Sequence, residues 1–320
     1  MTPVSVLIPA YRPDFLRQAI ASVLAQTHQD YELLISDDCP DEGVKQVVAE
    51  FGDRRIRLLE GPRQGLVANS AFLFEQSTGE FLKYVYDDDF LLPFAIARLG
   101  GLLEAEPAAA FAFAMRQCVD GRGNLLPSPS GLKPGPPRLY QSSDLTDATM
   151  SKLYNFVGEP INIMMRRSKV GGSDCMRAYA GFELRHMIDV GFYLNALEHG
   201  PGIGLGEPHA VFRRHGTQTT SMANPALSIG FFEWEIFLRG GLDRGRCKPE
   251  SVISGLEVLE SRYVRFAPEY PELSLFRRQL PELRRRIASG EGPLLDQAFR
   301  DTLAEADKVI EARKAGRPAS

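Results

Sequence analysis

Short apolar runs and amphipathic ones alternate through the first 115 residues, and this alternation leaves few folds open. Residues 4–8 form the first apolar run. Residues 14–25 then carry apolar side chains at Phe15, Leu16, Ala19, Ile20, Val23 and Leu24, the spacing of a helix with one buried face. The pattern continues as strand 31–36, helix 44–51, strand 56–59, helix 66–76 and strand 81–86. Strands separated by helices pair in parallel. The expected fold is therefore α/β, a doubly wound, mostly parallel sheet flanked by helices. Such sheets bind ligands beyond the carboxyl ends of their strands, and three polar groups fall there: Pro9-Ala10-Tyr11, Asp37-Asp38 and Asp87-Asp88-Asp89.

The acidic triplet carries the chemistry. Carboxylates a few ångströms apart repel and raise one another's pKa values, and a Mg²⁺ or Mn²⁺ ion, which takes oxygen ligands and shares them with phosphates, relieves that repulsion. The alternative is a solvated turn or a helix cap. The glycine-rich phosphate loop G-x-x-x-x-G-K-S/T is absent, which argues against a P-loop enzyme.

Beyond residue 115, a strand is expected over 109–115, and Asp120-Gly121-Arg122-Gly123-Asn124 reads as a hairpin turn. Residues 127–137, rich in Pro, Gly and Ser, read as a mobile loop. A helix over 143–153, a strand over 161–165, a helix over 183–198 and a strand over 210–213 lead to the polar stretch Arg214-His215-Gly216-Thr217-Gln218. Helical patterns at 227–239, 250–266, 272–287 and 294–313 suggest a C-terminal helical appendage with a frayed tail over 314–320. The expected division is a domain over 1–224, made of a half to residue 115 and a half over 116–224, and a helical region over 225–320. Phe231, Phe232, Trp234 and Phe237 read as helix core or the surface of a homodimer.

Net charge narrows the partners. At -4 the chain offers no general attraction to nucleic acid. No window of 18 apolar residues exists, so any membrane contact is expected to be peripheral, at the inner face. Cys39, Cys118, Cys175 and Cys247 lack C-x-x-C spacing, and no signal peptide is expected ahead of Pro9; a cytoplasmic location follows as the expectation.

The order Val4-Ser5-Val6-Leu7-Ile8-Pro9-Ala10-Tyr11, Ser22-Val23-Leu24-Ala25-Gln26-Thr27 and Tyr31-Glu32-Leu33-Leu34-Ile35-Ser36-Asp37-Asp38 resembles the opening of family 2 of the inverting nucleotide-sugar glycosyltransferases. Gly65, Asn69, Thr78-Gly79-Glu80-Phe81-Leu82 and Asp87-Asp88-Asp89 ahead of Pro93 resemble that family's lead into its acidic motif. Weaker resemblance extends to about residue 221.

This resemblance implies the GT-A fold and transfer of a hexosyl or deoxyhexosyl group from a nucleotide-diphosphate sugar, with UDP or dTDP favoured. The acceptor would be a hydroxyl of a glycan, a lipid-linked sugar, a protein or a small molecule. By motif, Pro9, Ala10 and Tyr11 line the base and ribose pocket, Asp38 binds the base, and Asn69 belongs to the nucleotide site. Asp88 is the expected metal ligand, with Asp89 beside it, while Asp87 or Asp89 holds the ribose or a metal-bound water. Asp189 matches the general base, although Ile188 replaces the usual Glu. Arg213 and His215 match contacts to the diphosphate or the metal. The motif's first position is Tyr86 where the family often has Asp. Tyr86 and Ile188 keep open a catalytically silent sugar-nucleotide-binding module, and the carboxylates alone also suit a Mg²⁺-dependent nucleotidyltransferase or phosphohydrolase.

Overall fold

All seven residues of the first strand, β1 (Val4–Ala10), are buried, which requires a neighbour on each edge and cover on both faces. The computed structural model, which describes residues 2–216 and 226–316, supplies both. The chain continues through α1 (Leu16–Leu24), β2 (Tyr31–Asp37), α2 (Gly43–Ala49), β3 (Ile56–Glu60), α3 (Leu66–Gln76), β4 (Phe81–Tyr84), β5 (Phe90–Leu91), α4 (Ala95–Ala105) and β6 (Phe111–Asp120). Then come β7 (Leu125–Leu126), β8 (Gly135–Tyr140), α5 (Ser142–Lys152), β9 (Ile163–Arg166), β10 (Ala178–Tyr179), β11 (Phe182–Glu183), α6 (Ile188–Ala196) and β12 (Gly202–Arg214). Four helices close the sequence: α7 (Ser228–Asp243), α8 (Pro249–Phe266), α9 (Leu273–Ser289) and α10 (Gln297–Lys314).

The described chain forms two compact units. The first comprises the residues up to Ser142 with Asn155–Arg177 and Ile188–His215; the second comprises Ser143–Tyr154, Ala178–Met187 and the described residues from Gly216 onward. The expected boundary at 224/225 touches residues outside the described set, as do Thr217 and Gln218 of the polar stretch and residues 317–320 of the expected tail. Two segments upstream of that boundary, 143–154 and 178–187, group with the C-terminal helices.

In the first unit the sheet order is β3-β2-β1-β4-β9-β6-β12-β5, with β7 on β6 and β8 on β12. β3, β2, β1 and β4 run parallel, as the βα alternation requires, and β6 and β12 form a second parallel pair. β9 joins the two sets antiparallel to both. Leu16, Ala19, Ile20 and Val23 of α1 are buried in the same core as Val6, Ile8 and Ile35. The turn into β4 is fixed by Gly79, where a Cβ would come within 2.5 Å of Ser5 N; its own N–H donates to Ser5 Oγ at 2.8 Å.

Several elements differ from the sequence expectation. The strand expected over 81–86 ends at Tyr84, and β5 follows the acidic residues directly. β6 runs to Asp120, through Arg116 and Gln117, because β12 pairs with it as far as Arg214↔Asp120. β12 itself starts at Gly202 and tolerates Pro208, which cannot donate to the ladder, at a break in register. The loop expected over 127–137 already contains the start of β8, and the helix expected from 183 begins only at Ile188. α4 was not anticipated. Lys314, expected in the tail, ends α10.

In the second unit, Phe232 stacks on Phe276 with ring centroids 5.0 Å apart, and Phe232, Trp234 and Phe237 are core residues. Glu235 is buried too, paired with Arg239 at 2.6 Å and accepting from Tyr263 Oη at 2.8 Å.

Candidate active site

β4 delivers the acidic motif to its carboxyl end, and β5 pins it by pairing antiparallel with β12 through Leu91↔Ala210 and Phe90↔Val211. The three carboxylates then diverge. Asp87 Oδ2 accepts the backbone N–H groups of Tyr11 (2.7 Å) and Arg12 (2.8 Å), tying the motif to the end of β1. Burial pushes its carboxyl up to about 6, opposed by those two N–H groups and reinforced by Asp88. Asp89 is 1% exposed, and its Oδ1 accepts the Arg213 N–H at 2.9 Å. Its carboxyl is raised well above the ordinary range, first by burial and then by Asp88. Asp88 is the member that carries its carboxylate to another titratable side chain: Oδ2 lies 3.0 Å from His215 Nε2.

Arg213, whose side chain the sequence directs at the diphosphate, is 3% exposed and spans protein acceptors. Nε donates to the Asp88 carbonyl at 3.1 Å, Nη1 to the Asp120 carbonyl at 3.4 Å and Nη2 to Gln18 Oε1 at 2.5 Å, with Phe15 beneath the guanidinium at 4.2 Å. His215 packs against the same Phe15 ring, centroids 5.5 Å apart. Phe15 and Gln18 thus shape the site without having been singled out in the sequence; both sit where α1 begins, directly after the Tyr11 turn.

At the neighbouring strand ends, Pro9 and Ala10 are buried and Tyr11 is 53% exposed, leaving its ring free to face a ligand. Asp38 is 6% exposed, and its two oxygens accept the backbone N–H groups of Arg63 (2.5 Å) and Gly65 (3.0 Å). Both donors sit at positive φ, 55° and 86° respectively, so this carboxylate stabilises a turn that the backbone does not favour at Arg63. Asn69 is buried in α3 and donates to the Ser36 carbonyl at 3.3 Å.

Asp189 lies in the first turn of α6. Oδ1 accepts the Val190 N–H at 2.8 Å, and Oδ2 accepts Asn155 Nδ2 at 2.6 Å. Asn155 is held in turn, its Oδ1 accepting the Gly158 N–H at 2.8 Å. Tyr86 is a phenol whose buried oxygen keeps it neutral, its pKa raised by burial and by the Asp189 carboxylate. A buried lysine also went unnoticed: Lys83 of β4 donates to the carbonyls of Ile161 and of Ile163 (3.0 Å), joining β4 to the chain entering β9. Burial lowers it to about 7, Asp89 acting in the opposite sense.

Asp88 and His215 offer one carboxylate oxygen and one imidazole nitrogen, donors that suit Mn²⁺ or Mg²⁺. Among the described residues no group of three or more His, Cys, Asp or Glu side chains could hold a metal ion. Diphosphate oxygens would be further ligands for an ion held by Asp88 and His215.

A sheet of this topology, with polar groups gathered beyond β1, β2 and β4, defines an α/β domain of the GT-A type. The chain belongs to glycosyl transferase family 2, whose pattern it matches over residues 5–169, more than half its length. It is 33% identical over 137 residues to the GalNAc(5)-diNAcBac-PP-undecaprenol beta-1,3-glucosyltransferase of Campylobacter jejuni, a match covering 41% of this chain and 43% of that protein. The chain thus spans less than half the length of that relative. An uncharacterized Mycobacterium tuberculosis protein, MT1568, is 27% identical over 233 residues, 68% of this chain and 69% of its own. In fold, the chain is similar to residues 1–349 of S. aureus TarS, solved in complex with UDP-GlcNAc. The TM-score is 0.65 at 13% identity, over 99% of this chain and 93% of that one.

Proposed function

We propose that the protein is a metal-dependent, inverting glycosyltransferase that moves a sugar from a UDP- or dTDP-sugar to a hydroxyl acceptor. The observation that carries this reading is the Asp88 Oδ2–His215 Nε2 pair at the carboxyl end of the sheet of a family 2 domain. A Mn²⁺ or Mg²⁺ ion held there would neutralise charge on the departing diphosphate. Tyr11 offers a ring face to the base, and the turn held by Asp38 borders the same strand ends. Asp189 accepts the proton of the attacking hydroxyl; Asn155 and the Val190 N–H orient its carboxylate for that task. One base and one leaving-group clamp suffice for a single displacement, which inverts the anomeric centre.

The acceptor reading follows the relatives. The Campylobacter protein is named for a lipid-linked glycan, and a glycan or lipid-linked sugar is accordingly favoured here over a protein or small molecule. Among the described residues no helix is long and apolar enough to cross a membrane, so a lipid-linked acceptor would be met at the membrane surface. The UDP-GlcNAc bound by TarS supports a UDP-sugar as the first donor to test.

A thermal-shift panel of UDP-, dTDP- and GDP-sugars with and without Mn²⁺ tests the donor. A ligand at a hundredfold its Kd stabilises by ~2.7 kcal/mol, so the matching nucleotide stands out. No shift with any sugar nucleotide in the presence of Mn²⁺ would sink the proposal, and a product of retained anomeric configuration by NMR would sink the single displacement. Donor binding without turnover on any acceptor would favour a silent binding module.

A further inference from the structure

Glu233 of α7 is 1% exposed and turns both carboxylate oxygens onto one stretch of backbone. Oε1 accepts the N–H groups of Arg185 (2.6 Å) and His186 (3.2 Å), and Oε2 those of His186 (3.2 Å) and Met187 (2.6 Å). Three successive N–H groups converging on one anion form a nest, here closed by a side chain of the protein itself. The same stretch is held twice more within the second unit. The Arg185 guanidinium lies 5.7 Å from the Phe232 ring centroid and pairs with Asp307 at 2.8 Å. Gly230 leaves so little room that a Cβ there would come 2.8 Å from His186 Cδ2. Burying a carboxyl group for packing alone is unfavourable against an apolar side chain, whereas a carboxylate satisfied by three N–H groups fixes backbone position.

The stretch that Glu233 grips runs through Ile188 straight into Asp189. We infer that Glu233 is a positioning residue for the base: by fixing residues 185–187 it sets where α6 begins and so where the Asp189 carboxylate stands. This inference rests on the reading of Asp189 as the base. A displacement of about 1 Å at a reacting group costs on the order of 10²-fold in rate, so a loosened clamp is expected to lower kcat by ~10–100-fold while donor Kd stays within about twofold.

Glu233→Gln keeps the shape but turns an amide NH₂ toward the backbone donors. Asp243→Asn is the control, because Asp243 likewise accepts backbone N–H groups, those of Leu294 (2.8 Å) and Leu295 (3.0 Å), on a stretch that leads to no site residue. Hydrogen exchange over residues 185–190, donor calorimetry and kcat are measured for both variants. Faster exchange reaching residues 188–190 and the kcat loss are expected for Glu233→Gln alone. Exchange that rises only over 185–187, or a kcat loss equal in the two variants, overturns the inference. Should Glu233→Gln fail to fold, Gly230→Ala presses on His186 with the carboxylate retained; it must reproduce the kcat loss, and unchanged kcat with faster exchange at 185–187 refutes the coupling. If the unaltered protein transfers no sugar, the functional reading fails, while the exchange pattern still judges the clamp.

Discussion

Asp88→Asn removes one charge from the pair on which leaving-group stabilisation is proposed to depend. The separation of Asp88 Oδ2 and His215 Nε2 is 3.0 Å. Asp88 would hold the ion through a carboxylate oxygen and His215 through Nε2, in place of the hydrogen bond between them. If diphosphate oxygens share the ion with these two side chains, metal and nucleotide should enhance each other's affinity by the same factor. The substitution keeps an oxygen in place but loses its charge. A loss of at least ~100-fold in kcat/KM is expected, equivalent to ~2.7 kcal/mol of transition-state stabilisation. Folding stability should change far less. The two side chains are 13% and 22% exposed, and a pair so placed contributes on the order of 1 kcal/mol or less. Manganese titrations of turnover, with calorimetry of Mn²⁺ in the presence and absence of UDP, measure both quantities. Near-normal turnover at limiting Mn²⁺, or a Mn²⁺ affinity indifferent to UDP, would refute the assignment.

Asp189→Asn is expected to cut kcat by ~10²–10⁴ with donor affinity nearly unchanged, and a large loss of donor binding by calorimetry would make Asp189 a structural residue. Asn155→Ala, which deletes the 2.6 Å hydrogen bond to the Asp189 carboxylate, should cost ~1.5–3 kcal/mol of the same kinetic barrier; a kcat within twofold of the parent would remove Asn155 from the site. Asp38→Ala leaves the Arg63 and Gly65 N–H groups without their acceptor, so it should lower Tm as well as UDP and dTDP affinity, and unchanged affinity for both would exclude Asp38 from the nucleotide pocket. Burial pushes Glu233 up to about 7 from 4.5, against the pull of the Arg185, Met187 and His186 N–H groups and the Arg185 charge; His186 beside it is itself lowered by burial. A raised acid contributes stability that is fully present below pH ~4.5 and lost as pH rises through about 7, some 3 kcal/mol here. The stability gap between the parent and Glu233→Gln should therefore shift in the parent's disfavour between pH 5 and pH 8, and a pH-independent gap in chemical denaturation would contradict it.

The N-terminal half of the sheet was legible because local pattern and tertiary role coincide there. The buried face of α1 is its apolar face, and β1, covered on both sides, reads as an unbroken apolar run. The other half was less legible. β12 contains Gly202, Gly204, Gly206 and Pro208, a poor strand by propensity, and owes its length to pairing with β6. β5 is two residues long and gains its register from Ala210 and Val211, far along the chain. The grouping of 143–154 and 178–187 with the C-terminal helices was invisible for the same reason, since nothing local marks which distant helix a short segment will meet.

Site residues were legible by type and less so by role. Acid clusters at strand ends read as ligand groups, yet a carboxylate that ends a strand faces a backbone in need of acceptors, because loops there expose N–H groups that no ladder satisfies. Asp87 takes the Tyr11 and Arg12 N–H groups, Asp38 those of Arg63 and Gly65, Asp37 that of Cys39, and Asp89 that of Arg213. Asp87, Asp38 and Asp89 thereby tie together segments distant in the sequence, while Asp37 closes its own turn. Asp88 differs in turning its carboxylate to an imidazole contributed from the far end of β12. Composition could not distinguish it from its neighbours, because the difference lies in which strand end each carboxylate faces, and that depends on β5 pairing with β12. Shaping and chemistry thus fall to adjacent residues of one triplet. The same division of labour implies that charge-removing substitutions at Asp87 or Asp89 act first on loop geometry, and those at Asp88 on turnover.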